Sequence, residues 1–206
     1  MRRLIFVRHG ETKGNRERRI QGAVDSELND MGKKQAKKVA LKLKNEKIDV
    51  IYSSPLKRAH QTAVEIAKYH NKKIIVKKEL IEIDCGEFES KKLGEILRDY
   101  KKRGKFFELI NMFVKWIFDK DNFAFPGGEN YISLTNRTMK FIKKIPGKYN
   151  TILIATHSEV IYNLARIIDM WSNWKEFYRL IDILDNCSIS EFIEENGKLK
   201  IVYFDK

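Results

Sequence analysis

The sequence predicts an α/β fold whose chemistry gathers at the ends of its strands, and three stretches carry that expectation. Leu4-Ile-Phe-Val-Arg-His-Gly-Glu-Thr12 runs four apolar residues straight into a cation, an imidazole and a glycine, so a buried strand ends by presenting Arg8 and His9. Thr151-Ile-Leu-Ile-Ala-Thr-His157 repeats the design before a polar turn and a helical pattern. Val50-Ile-Tyr-Ser-Ser-Pro-Leu-Lys-Arg58 ends a short apolar run with an arginine in the next turn. In open α/β sheets ligands bind outside the carboxyl ends of the strands. Two histidines and two arginines converging there would suit a phosphate.

The elements follow in order. Glu11 to Asp30 is polar and glycine-punctuated, a loop wrapping the first strand end, from which Asn15, Gln21 and Gly22 could reach a bound anion. Asn29-Asp30 can cap a helix from about Met31 to Asn45, with Ala36, Val39, Ala40 and Leu43 at helical spacing. Val50 to Tyr52 is a strand, and Ser54-Pro55 reads as a cap with proline at the first helical position of a helix running to about His70. That places Arg58 in the first turn, where free N–H groups and the positive dipole end favour anions. Lys73 to Ile81 reads as a further strand, and Lys91 to about Phe125 as a helical, aromatic-rich excursion that packs on the sheet or serves as a lid. Glu129 to Ile145 is a helix closed by Pro146-Gly147, and a helix from about Ser158 to Met170 follows His157. Ser188 to Ile193 and Leu199 to Phe204, joined through Asn196-Gly197, make a terminal hairpin at the sheet edge.

With 206 residues, 43% hydrophobic and 11% aromatic, the chain can bury one substantial core, and a single domain over 1–206 is expected. The net charge of +13 attracts anions. Its lysines lie in scattered pairs such as Lys33-Lys34, Lys72-Lys73 and Lys143-Lys144, which reads as solvated helix faces and disfavours nucleic acid. Cys85 and Cys187 form no CxxC and no disulfide framework. The apolar run after Met1 is broken at Arg8, unlike a signal peptide, and no stretch suits a membrane span, so a cytoplasmic protein without membrane partners is expected.

The chain contains no HExxH, no His-x-His, no aspartate-rich loop and no GxxxxGK[ST], so neither a metal nor a cofactor is expected. A neutral imidazole can instead attack phosphorus, forming a phosphohistidine that water later hydrolyses. Cations must hold the phosphoryl oxygens while charge redistributes, a task for Arg8, Arg58 and His157. A general acid must protonate the leaving oxygen. Among the carboxylates of Glu82-Ile-Asp-Cys-Gly-Glu-Phe-Glu89, Glu82 directly follows the apolar run and is best placed to be desolvated and raised in pKa. Taken alone, a histidine at a strand end is more often structural, but two of them with two arginines at three strand ends weaken that reading.

These residues also carry a resemblance. Arg8-His9-Gly10-Glu11-Thr12 with Asn15 resembles the signature of the histidine phosphatase superfamily, the phosphoglycerate mutase-like proteins. Gln21-Gly22 with Asp25, Leu28, Gly32 and Gln35-Ala36, Ser53-Ser-Pro-Leu-Lys-Arg-Ala59 with Gln61-Thr-Ala63, and Phe125-Pro-Gly-Gly-Glu129 are similar to its further segments. The resemblance implies a three-layer αβα sandwich with a mainly parallel central sheet, here with the helical lid-like excursion at about 91–125. It implies His9 as the phosphorylated nucleophile, Glu82 as proton donor, and Arg8, Arg58, His157 and Asn15 around the phosphoryl group. Gln21, Gly22 and Ser158 join them as phosphate-binding candidates. Two departures stand out: His157-Ser158-Glu159 replaces the family's usual His-Gly-Gly, and Ser90 stands where the Glu82 segment commonly closes with glycine.

The expectation is a metal-independent phosphomonoesterase acting on a small phosphorylated metabolite. A cofactor-dependent phosphoglycerate mutase is the alternative within the family, set aside because the segment after Glu82 lacks an Arg-rich, Tyr-Gly-containing stretch. A catalytically weak phosphate-binding or regulatory module is the alternative of another class. A homodimer is compatible with the sequence.

Overall fold

The computed structural model describes residues 1–168 and 184–204. A six-stranded sheet has the order β3-β2-β4-β1-β5-β6, built from β1 (Arg2–Arg8), β2 (Val50–Ser53), β3 (Ile74–Val76), β4 (Thr151–Thr156), β5 (Ile189–Glu195) and β6 (Lys198–Phe204). β1, β2, β3 and β4 are parallel, and the β5–β6 hairpin adds to β1 in the antiparallel sense.

The alternation of β1 creates three layers. Leu4 and Phe6 pack one face with α6 (Tyr131–Lys143) and α7 (Ser158–Ile168), while Ile5 and Val7 pack the other with α2 (Asp30–Leu43) and α3 (Lys57–Ala67). All four are at most 1% exposed, each burial being worth about 1.5–3 kcal/mol. A parallel strand covered on both faces must be apolar throughout, which is why the run in β1 does not alternate with polar residues.

A third core belongs to the excursion, α4 (Leu93–Lys102) and α5 (Phe106–Phe118), where Ile96, Tyr100 and Leu109 join Ile83, Phe123 and Tyr131. Its aromatics divide: Tyr100 and Phe123 are buried, whereas Phe107 is 85% and Phe118 79% exposed.

Several boundaries differ from the sequence expectation. The Glu11–Asp30 loop contains a short helix, α1 (Lys13–Arg16), capped reciprocally by Thr12 and Asn15. α3 starts at Lys57, not after Ser54-Pro55: Ser54 Oγ lies 2.8 Å from a histidine and accepts from the Leu56 N–H (3.3 Å) ahead of the helix, while the Asp25 carboxylate accepts the Lys57 N–H (2.7 Å). β3 holds only Ile74–Val76, and a 3-10 turn at Lys78–Leu80 replaces the rest of that expected strand. α6 begins at Tyr131, with Asn130 accepting from the Ser133 N–H (2.7 Å). The end of the helix expected to reach Met170 lies outside the described residues.

Candidate active site

β1 sits between β4 and β5, and its last backbone groups are fixed from both sides. The Arg8 N–H donates to the Ser188 carbonyl (3.1 Å) and the His9 N–H to the Thr156 carbonyl (3.0 Å). The His9 carbonyl accepts from the Cys187 N–H (3.2 Å) and from Asn186 Nδ2 (3.0 Å). His9 Nδ1 lies 2.8 Å from the Gly10 carbonyl, an acceptor only, which places the proton on Nδ1 and the lone pair on Nε2. Arg58 Nε donates to that lone pair (3.2 Å). Burial first, then the charges of Arg58 and Arg8, hold the His9 pKa well below its ordinary value, so the ring is neutral and nucleophilic.

Arg58 is 1% exposed and is aimed by the loop below it: its guanidinium donates to the carbonyls of Gly22 (2.7 Å) and Val24 (2.6 Å). His157, fully buried at the end of β4, places Nε2 2.8 Å from Ser54 Oγ, and its ring centroid lies 5.2 Å from that of His9. Two buried nitrogens point to what the site receives. Arg8 Nε and His157 Nδ1 are both without a hydrogen-bond partner among the described residues. An orphaned buried donor costs about 1–3 kcal/mol; an anion beside His9 would satisfy Arg8 Nε, and His157 Nδ1 as well when the Ser54 hydroxyl donates to Nε2.

Glu82 closes the ring of groups. Its Oε1 accepts from the Ile83 N–H (3.0 Å), and its Oε2 from the Glu159 N–H (3.3 Å) and Ser158 Oγ (3.4 Å). Desolvation, then the like charge of Glu159, raises its pKa to about 7. Its backbone is braced by Arg137, which donates to the carbonyls of Glu79 (2.8 Å), Ile81 (2.6 Å) and Glu82 (3.2 Å) while paired in a fork with Glu129. The Pro126-Gly-Gly-Glu129 turn lies against the same segment: the Glu129 N–H donates to the Asp84 carbonyl (2.9 Å). A Cβ at Gly128 would collide with that carbonyl, so the approach requires glycine.

Arg8, His9, Arg58, Glu82 and His157 are therefore brought together, and each is 8% exposed or less. Asn15, Gln21 and Gly22 connect to this centre indirectly. Asn15 caps α1, its Oδ1 lying 3.4 Å from Asn186 Nδ2. Gln21 Oε1 accepts from Thr12 Oγ1 (2.7 Å), and Gly22 offers its carbonyl to Arg58. Ser158 meets Glu82, as above. Sequence reasoning missed Ser54, Arg137 and Asn186. Ser54 was findable, because it follows β2 at the same strand edge that singled out Arg58. Asn186 was findable once the terminal hairpin was read as antiparallel to β1, since its approach then lies beside His9. Arg137 carried no signal.

Glu159, the residue foreign to the usual pattern, points away from the phosphate cations: its Oε2 accepts from the Tyr131 hydroxyl (2.8 Å), which accepts from Trp116 Nε1 (2.9 Å).

Comparison with known proteins bears on the family and the fold. The family model described as the histidine phosphatase superfamily (branch 1) matches residues 4–206. The chain is 36% identical over 160 residues to phosphoserine phosphatase 1 of Hydrogenobacter thermophilus, covering 77% of this chain and 72% of that protein. It is 33% identical over 162 residues to the metal-independent phosphoserine phosphatase of Arabidopsis thaliana, covering 77% and 65% of the two. Its fold superposes on a mycobacterial glucosyl-3-phosphoglycerate phosphatase complexed with VO3 with a TM-score of 0.83 at 22% identity, over 100% of this chain and 99% of that one.

Proposed function

The chain belongs to the histidine phosphatase superfamily, and from that membership and its pocket we infer that it is a phosphomonoesterase for small phosphorylated metabolites, working through a phosphohistidine. The observation that carries the mechanism is a pair of buried nitrogens without partners among the described residues, Arg8 Nε and His157 Nδ1, the second a donor when the Ser54 hydroxyl donates to Nε2, beside a neutral His9. A phosphoryl group placed there takes those donors and draws the Arg58 N–H from the His9 lone pair to its own oxygens. His9 Nε2 then forms a bond to phosphorus as the phosphorus–oxygen ester bond breaks. The leaving oxygen takes the proton of Glu82, so an alcohol departs. Water attacks the phosphohistidine, Glu82 takes its proton, and phosphate leaves as the N–P bond breaks. Hydrolysis rather than mutase transfer is the reading supported by the phosphatase names of the relatives.

Cys85 and Cys187 are free thiols, which supports a cytoplasmic location, and no helix among the described residues is long and apolar enough to cross a membrane. The test is phosphate release from p-nitrophenyl phosphate in EDTA. Wild type turns over, and His9→Ala loses at least roughly a thousandfold in kcat. Turnover that survives His9→Ala, or that EDTA abolishes, would sink the mechanism.

A further inference from the structure

α5 is apolar on two faces and packs only one of them. Within Phe106–Phe118, Glu108 and Lys115 alone carry charge. Leu109 is buried, and Met112, Phe113 and Trp116 pack with it into the third core. On the opposite side Phe106, Phe107, Ile110, Val114, Ile117 and Phe118 are each between 41% and 85% exposed. Positions three, four and seven apart share a helix face, so these side chains form one continuous stripe about 18 Å long. A helix that is apolar all round is ordinarily covered all round, and an apolar stripe left facing water marks a partner.

The order of the stripe names that partner. Phe106 and Phe118, Phe107 and Ile117, and Ile110 and Val114 stand in pairs at equal separations from Met112. Two copies of α5 laid antiparallel about a twofold axis beside Met112 would set each residue of a pair against its counterpart, twice over. An isologous interface demands this self-match, because residue i must meet j wherever j meets i. The charges obey the same operator. Glu108 and Lys115 stand a heptad apart along one margin of the stripe, and the twofold brings Glu108 of each copy opposite Lys115 of the other. Within its own chain Lys115 has no ion pair among the described residues, and Glu108 has only an exposed one with Lys105 (3.2 Å). An anionic membrane surface is answered less well, since it asks for a basic margin where α5 balances one ammonium with one carboxylate.

We propose that the exposed face of α5 is a dimerisation surface, and that its occupant is α5 of a second copy of this chain, antiparallel about a twofold axis at Met112. The net charge of +13 on each copy opposes the contact, so salt that screens this charge should tighten it.

The test is sedimentation velocity of the full chain at low and high salt. Wild type sediments as a dimer, more tightly as salt rises. Phe107→Glu and Ile117→Glu alter exposed side chains, so both keep the far-UV circular dichroism of the wild type and sediment as monomers. Lys115→Glu sets two like-charged pairs across the axis and weakens the dimer about tenfold or more, and adding Glu108→Lys to it restores the affinity. The proposal is overturned by a wild type that stays monomeric, by a dimer that survives both glutamate substitutions, or by a Lys115→Glu defect that Glu108→Lys does not relieve. A monomer retained on phosphatidylglycerol vesicles, with retention falling as salt rises, would assign the stripe to a lipid surface instead.

Discussion

A carboxyl group can serve as an acid at neutral pH only if something keeps its proton on, and here that something is burial together with a second carboxylate. Glu82 was legible in the sequence because it directly follows an apolar run. Glu159 read there only as a departure from pattern, since nothing in the local sequence announces that Tyr131, from another helix, would fix its direction. The pH dependence follows from the pair. Glu82 must be protonated to release the alcohol, and its pKa is raised to about 7. His9, held well below its ordinary value, stays neutral through the same range. The expected profile of kcat/KM is therefore flat on the mildly acidic side and falls about tenfold per unit above about pH 7. Removing the like charge with Glu159→Gln should carry that limb to lower pH, measured with p-nitrophenyl phosphate. A limb that does not move would mean that the two carboxylates do not sense each other.

Among the elements, the long apolar strands and the helices with regular stripes were readable, and their ends were not. A cap depends on which side chain reaches the first N–H groups, and the sequence around Ser54-Pro55 cannot show that Ser54 Oγ is shared with His157, 103 residues away, while Asp25 accepts the Lys57 N–H. The expected strand at Lys73–Ile81 stops at Val76 because its partner β2 ends opposite it at Ser53, and beyond that point Arg137 takes the carbonyls of Glu79 and Ile81. Ser90 shows strain at such a boundary. It takes a left-handed conformation, φ 62°, while its N–H donates to the Ile20 carbonyl (2.7 Å) and its carbonyl accepts from Arg19 (2.9 Å). These bonds hold a residue with a Cβ where glycine fits without cost. Ser90→Gly should stabilise the protein by up to about 1 kcal/mol, a rise in Tm of about 2–4 °C by calorimetry. A fall in Tm would show that the serine side chain contributes more than the backbone loses.

For the molecule as a whole, the fold class and the convergence of three strand ends could be read from apolar runs that stop at charged residues. The contribution of the last hairpin could not, because no local pattern says which strand a hairpin will join. That hairpin matters for how the protein comes into being. β1 pairs with β4, some 150 residues on, and with β5, later still. β1 thus waits for strands made long after it before it finds its partners, and such distant pairing is slow to form. A chain ending at Ile168 lacks the groups that hold the Arg8 N–H and the His9 carbonyl, and it is expected to show neither phosphatase activity nor a cooperative melt; activity in that fragment would contradict the dependence. The nucleophile is accordingly written well ahead of the segment that arms it. A polypeptide that stops short of β5 carries the signature without the reactivity, and hydrolysis begins only once that strand has been translated.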